Sequence, residues 1–178
     1  MLAADGSAFG SIWQRRKVNL GADSTATDSI PAFSTERNTP YLFVLAYEEG
    51  KINQNLLLFE MARYNFSNFI IKSFDLSFAN DHGIGMLVTK EFANFDEAHQ
   101  YMRLLYADPD MARKLGGLRA LIISAGNFEL LQKYYSFDDY DLFYNGNFSD
   151  IPEPDIESIF MDEPILIEGV DQAEEEDY

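Results

Sequence analysis

The sequence predicts an α+β sandwich, a four-stranded antiparallel sheet with two helices on one side. Three observations carry this. Between residues 40 and 121 the chain alternates in the order strand, helix, strand, strand, helix, strand. Each helical stretch carries an apolar stripe, which has to cover an apolar sheet face. Each crossover is split by an extra strand, and split crossovers of this kind give the ferredoxin-like β-α-β-β-α-β arrangement.

The first strand is residues 41–47, YLFVLAY, a short aromatic and branched run closed by Glu48, Glu49 and Gly50. A helix follows, with apolar residues at Leu56, Phe59, Met61, Ala62, Phe66 and Phe69, close to the spacing that lines one face. Phe74, Leu76 and Phe78 then alternate with Ser73, Asp75 and Ser77, a strand with one buried face. Asn80 to Gly83 reads as a turn, and residues 84–92 hold the third strand. Asn94 caps the second helix with Glu97 as reciprocal partner, and Ala98, Tyr101, Met102 and Leu105 share its buried face. Gly116 and Gly117 break the chain before the last strand, residues 118–124. Ser124 then caps a further helix through Tyr135, and residues 137–144 form a short helical turn. Phe128, Leu131, Tyr135, Tyr140 and Phe143 are expected to pack as a C-terminal helical appendage on the sandwich. The open sheet face and the edge strands are left for partners.

Fifteen phenylalanines and ten tyrosines in 178 residues supply a core for one domain. No run approaches the roughly 20 apolar residues that cross a bilayer. No basic start followed by an apolar stretch marks a signal peptide. The chain has no cysteine, which removes disulfides, thiolate nucleophiles and most structural zinc sites. Its net charge of −17 is uneven. Residues 150–178 hold 12 acidic and no basic residues, leaving 18 acidic and 13 basic before them, a net of −5. So negative a chain, with no Lys/Arg stripe, argues against nucleic-acid partners.

Three segments follow from these patterns. Residues 1–39 form a linker or partner-docking segment, rich in Ala, Ser, Thr, Asp and Gly and expected to be largely flexible. Within it Ile12, Trp13, Arg15 and Arg16, with Lys17, either dock on a partner or acidic face or serve as a solvated linker. Residues 40–148 form the folded domain. Residues 149–178 form an acidic tail, in which Pro152, Pro154 and Pro164 prevent a continuous helix. The tail also holds apolar islands at Ile156, Ile159, Phe160, Ile165, Leu166 and Ile167. These read as a partner-docking motif, with residues 164–167 adding a strand to a sheet edge, or as part of a merely solubilising tail.

Catalytic and metal signals are missing from the pattern. His82 lies in a turn and His99 on a helix, neither beside a nucleophile motif. Asp81-His82 and Asp108-Pro-Asp110 lack ligand spacing. Gly83-Ile-Gly85 and Gly116-Gly117 are turn chemistry rather than phosphate loops. The reading is a non-enzyme with no catalytic residue, metal or cofactor.

Five phrases, taken in order, resemble a known family: PYLFVLAY at 40–47, ARYNFSNF at 62–69, EFANFDEA at 91–98, ISAGNF at 123–128 and YDLFY at 140–144. Together they are similar to the C-terminal domain of the PorW/SprE-type tetratricopeptide-repeat lipoproteins of Bacteroidetes, which belong to type IX secretion and gliding motility. The resemblance covers roughly residues 40 to 148. It implies a non-catalytic protein–protein assembly module in the periplasm, part of an outer-membrane-associated complex, with the lipid anchor and repeats upstream. Small domains of the sporulation-related (SPOR) type share the same topology and bind peptidoglycan glycans on the open sheet face, which is an alternative. A small-ligand-binding regulatory domain is another.

Overall fold

The computed structural model describes residues 11–17 and 30–149. Among the described residues the fold is α+β, with one four-stranded antiparallel sheet and five α-helices. The strands are β1 (Tyr41–Glu48), β2 (Leu76–Asp81), β3 (Ile84–Phe92) and β4 (Arg119–Ser124). The helices are α1 (Gln54–Asn68), α2 (Phe95–Ala107), α3 (Pro109–Leu115), α4 (Ala125–Lys133) and α5 (Phe137–Phe148). The sheet order is β2-β3-β1-β4, all neighbours antiparallel, with Val44 of β1 opposite Val88 on one side and Leu121 on the other. Strands β2 and β4 are the edges.

Strand β1 is buried from Tyr41 to Tyr47, and its alternate side chains enter two separate cores. Tyr41, Phe43, Leu45 and Tyr47 meet Met61, Phe95, Tyr101 and Leu105 under α1, α2 and α3. Leu42, Val44 and Ala46 meet Leu131, Phe137 and Tyr140 of α4 and α5. A strand covered on both faces must be apolar at every position, which is why YLFVLAY shows no alternation. Helices α4 and α5 therefore form a full third layer rather than an appendage, and the sheet face expected to be open is covered. Tyr140 fixes that layer by donating its hydroxyl to the Ile122 carbonyl at 2.5 Å.

The local signals mostly act as expected. Asn94 accepts from the Glu97 amide at 3.0 Å, while the Glu97 carboxylate reaches back to the Ala93 amide at 2.8 Å, one residue before the expected partner. Strand β2 begins at Leu76, later than the alternation from Ser73 implies. The hairpin to β3 turns at His82 and Gly83, whose φ values of 50° and 91° are those a two-residue loop requires. Gly85 is not turn chemistry. A Cβ there would lie 2.3 Å from the Tyr47 ring, so glycine lets that ring cross the neighbouring strand. Helix α3 has no counterpart in the sequence reading, although Asp108 caps it and Pro109 opens it.

Parts of the segment expected to be a flexible linker are packed. The Phe33 ring lies 4.3 Å from that of Tyr135 and 5.3 Å from that of Tyr140, and Asn127 exchanges two hydrogen bonds of 2.8 Å with the Ser34 backbone.

Candidate docking surface

Helix α1 is apolar on two sides. Leu57, Met61 and Tyr64 point into the core, so the sheet-facing stripe is not the one the sequence spacing picked out. Of that stripe, Met61 alone is fully buried, and Leu56, Phe59, Ala62 and Phe66 face solvent. Phe59 is 59% exposed and Phe66 88%. Ile70 and Ile71, just past the helix, are 80% and 101% exposed, and Phe78 on edge strand β2 is 40% exposed. Large aromatic and branched side chains held in water at helical spacing are what a partner-binding face presents. Burying one of them fully is worth about 1.5–3 kcal/mol.

Two features border this face. At one end Ile52, Leu56, Leu57, Leu115 and Leu118 line an apolar hollow of about 180 Å³. Its rim is charged: Glu60 contacts Arg63 at 2.7 Å and Lys114 at 2.9 Å, and these two cations, Lys114 first, hold its carboxyl below the ordinary range. At the other end the loop carrying Ile70 and Ile71 places Lys72 beside Glu97 at 2.6 Å.

The N-terminal candidates lie on the opposite side, on the chain's own domain. Trp13 meets the Phe137 ring edge-on at 5.3 Å, with the Arg119 guanidinium 5.0 Å over its own ring. Arg16 forks onto the Asp139 carboxylate at 2.7–3.1 Å. Burial alone would raise the Asp139 pKa, but Arg16 and the Ser136 amide outweigh it and hold the carboxyl low. Lys17 pairs with buried Asp81 at 2.7 Å and donates to the carbonyls of Leu131 and Tyr135 at 3.2 and 2.7 Å. Ile12 packs on the second core. Arg15 is exposed and, with Lys17, Asp81 and His82, lines a hollow of about 130 Å³. The sequence signal for this docking was the mixture of Ile12 and Trp13 with three cations. Asp81 lies some sixty residues away and the acceptors at Leu131, Tyr135 and Asp139 more than a hundred, beyond the reach of local pattern.

Ile156, Ile159, Phe160, Ile165, Leu166 and Ile167 lie outside the described residues. Among the described residues no cluster of His, Asp or Glu is arranged to hold a metal, and none of the helices is long and apolar enough to cross a membrane. His82 approaches Asp81 at 2.6 Å, and His99 stacks on Phe95 at 5.5 Å. No known protein family, curated protein or solved structure matches this chain.

Proposed function

We propose that the chain is a non-catalytic assembly module that docks a partner protein through the outer face of α1 and the loop that follows it. The single observation that carries this reading is the solvent-facing stripe of Leu56, Phe59 and Phe66, continued by Ile70 and Ile71. The sheet order and its split crossovers support a ferredoxin-like core within that module. The resemblance to the PorW/SprE-type lipoproteins supports placing the partner among the outer-membrane-associated subunits of type IX secretion, with this domain in the periplasm. A glycan reading needs a different surface, because the sheet face it would use is covered by α4, α5 and the N-terminal segment.

The test is co-purification of the tagged full-length protein from its native envelope after crosslinking. The double variant Phe66→Glu and Ile71→Glu should lose the secretion subunits that the parent recovers, while its unfolding transition stays in place. Removal of residues 150–178 in parallel reports whether the acidic tail contributes a second contact. Unchanged recovery by the double variant would move the interface away from α1.

A further inference from the structure

The loop that holds Ile70 and Ile71 out in water turns its one cation inward. Beneath it lies an open depression of about 220 Å³, walled by the partly exposed rings of Phe69 and Phe74, backed by the buried rings of Phe92 and Tyr101 and bordered by Glu97. Lys72 Nζ sits 5.8 Å from the Phe74 centroid, 5.7 Å from the Phe92 centroid and 2.6 Å from Glu97 Oε2. Aromatic faces together with one carboxylate are the chemistry that recognises an organic cation. We propose that this depression is a binding site for an alkylammonium group, held in the free protein by the chain's own Lys72.

Two observations make the site more than a resting place for Lys72. The rings are positioned by one another. Phe74 lies 5.1 Å from Phe69, 5.2 Å from Phe92 and 5.1 Å from Tyr101, and Phe92 is 5.1 Å from Tyr101. Glu97 is positioned by the Ala93 amide as well as by Lys72, so its carboxylate stays aimed when Lys72 leaves. The ring wall and the carboxylate are thus formed before a ligand arrives, which removes much of the ordering cost of binding. Lys72 itself lies in an irregular loop with its side chain 38% exposed. A half-exposed ion pair and cation–π contact hold it weakly, and a ligand displaces it at small cost. The site stands on its own residues and does not depend on docking through α1.

The chemistry admits two sources, a free alkylamine or the lysine side chain of a polypeptide. Binding is read on the full chain by NMR shifts of the phenylalanine and tyrosine ring protons. The probes are butylammonium, N-acetyl-lysine methylamide and the neutral isostere N-acetyl-norleucine methylamide. Lys72→Gln empties the site and should tighten both cations by about tenfold over the parent chain, because the internal competitor is gone. The norleucine compound should not respond, and adding Glu97→Gln to Lys72→Gln should abolish the gain. Equal or tighter binding of the lysine compound than of butylammonium marks a polypeptide lysine as the source, and the reverse order marks a free amine. A second emptying variant, Lys72→Met, guards against a fold defect peculiar to glutamine. Failure of both emptied variants to give saturable ring shifts with either cation, or an equal response to norleucine, would overturn the proposal.

Discussion

Replacing Lys17 by methionine tests the docking of the N-terminal segment on the domain. The Lys17 side chain is 10% exposed and its partner Asp81 5%, so the pair is buried rather than superficial. Methionine keeps an apolar stem but removes the ammonium, which sits 5.6 Å from the Phe137 ring centroid, and the carbonyls of Leu131 and Tyr135 lose their donor. Asp81 is left with His82 Nδ1 at 2.6 Å. Removing one partner of a buried pair costs roughly 3–5 kcal/mol. The remaining histidine contact and the retained stem place this case at the low end, about 3 kcal/mol. Urea unfolding is the assay, and with a slope of about 2 kcal/mol per molar the midpoint should fall by about 1.5 M. In a double-mutant cycle, Asp81→Asn added to Lys17→Met should cost less than the sum by about 2 kcal/mol. A change within about 0.5 kcal/mol for Lys17→Met is the behaviour of an exposed pair, and would refute the docking of residues 12–17.

Two titrations follow from other buried groups. Burial pushes the hydroxyls of Tyr41 and Tyr64 up to about 12, while the unfolded chain loses those protons near pH 10. Their contribution to stability is complete below about pH 10 and is lost as pH rises toward 12. Tyrosinate absorbance should therefore lag behind a free-tyrosine curve and rise together with loss of circular dichroism. A full rise near pH 10 with the dichroism intact would contradict it. On the acid side, Asp139 is held below the ordinary carboxylate range, so its contribution is present above about pH 4 and lost as pH falls below it. Arg16→Gln should shrink the difference in urea midpoint between neutral and acid pH, and an unchanged difference would show that the Arg16 fork is not formed in solution.

The sequence made the four strands and four of the five helices legible because each has a local cause. Asn94 and Ser124 accept the amides they were expected to cap, and the buried face of α2 is formed by Ala98, Tyr101 and Leu105 as spaced. Helix α1 is legible in the sequence, but its inward face is not. Helical periodicity locates a stripe and cannot choose between two when both sides of the helix are apolar, and here Leu57, Met61 and Tyr64 won the core. The stripe that lost is the candidate docking face. The unbroken apolar run of β1 already implied cover on both faces, yet which residues supplied the second cover was a tertiary matter. Phe137 and Tyr140 reach Val44 and Ile123 only once the chain has folded back. Ile12 and Trp13 beside three cations marked residues 11–17 for docking, but that they dock on the chain's own α4 and α5 was likewise a tertiary matter. The aromatic depression draws its rings from α2, β3 and the loop after α1, so no contiguous motif announces it.

The most direct measurement of the central claim is site-specific photocrosslinking in cells that natively express the protein. A photoreactive residue is placed at Phe66 or Ile71 of the full-length protein, and at exposed Glu129 on the opposite layer as the control. The account predicts one discrete protein adduct from positions 66 and 71 and none from 129, and the proposed function adds that its partner is an outer-membrane secretion subunit. No adduct from either apolar position, or the same adduct from Glu129, would contradict a docking surface on α1.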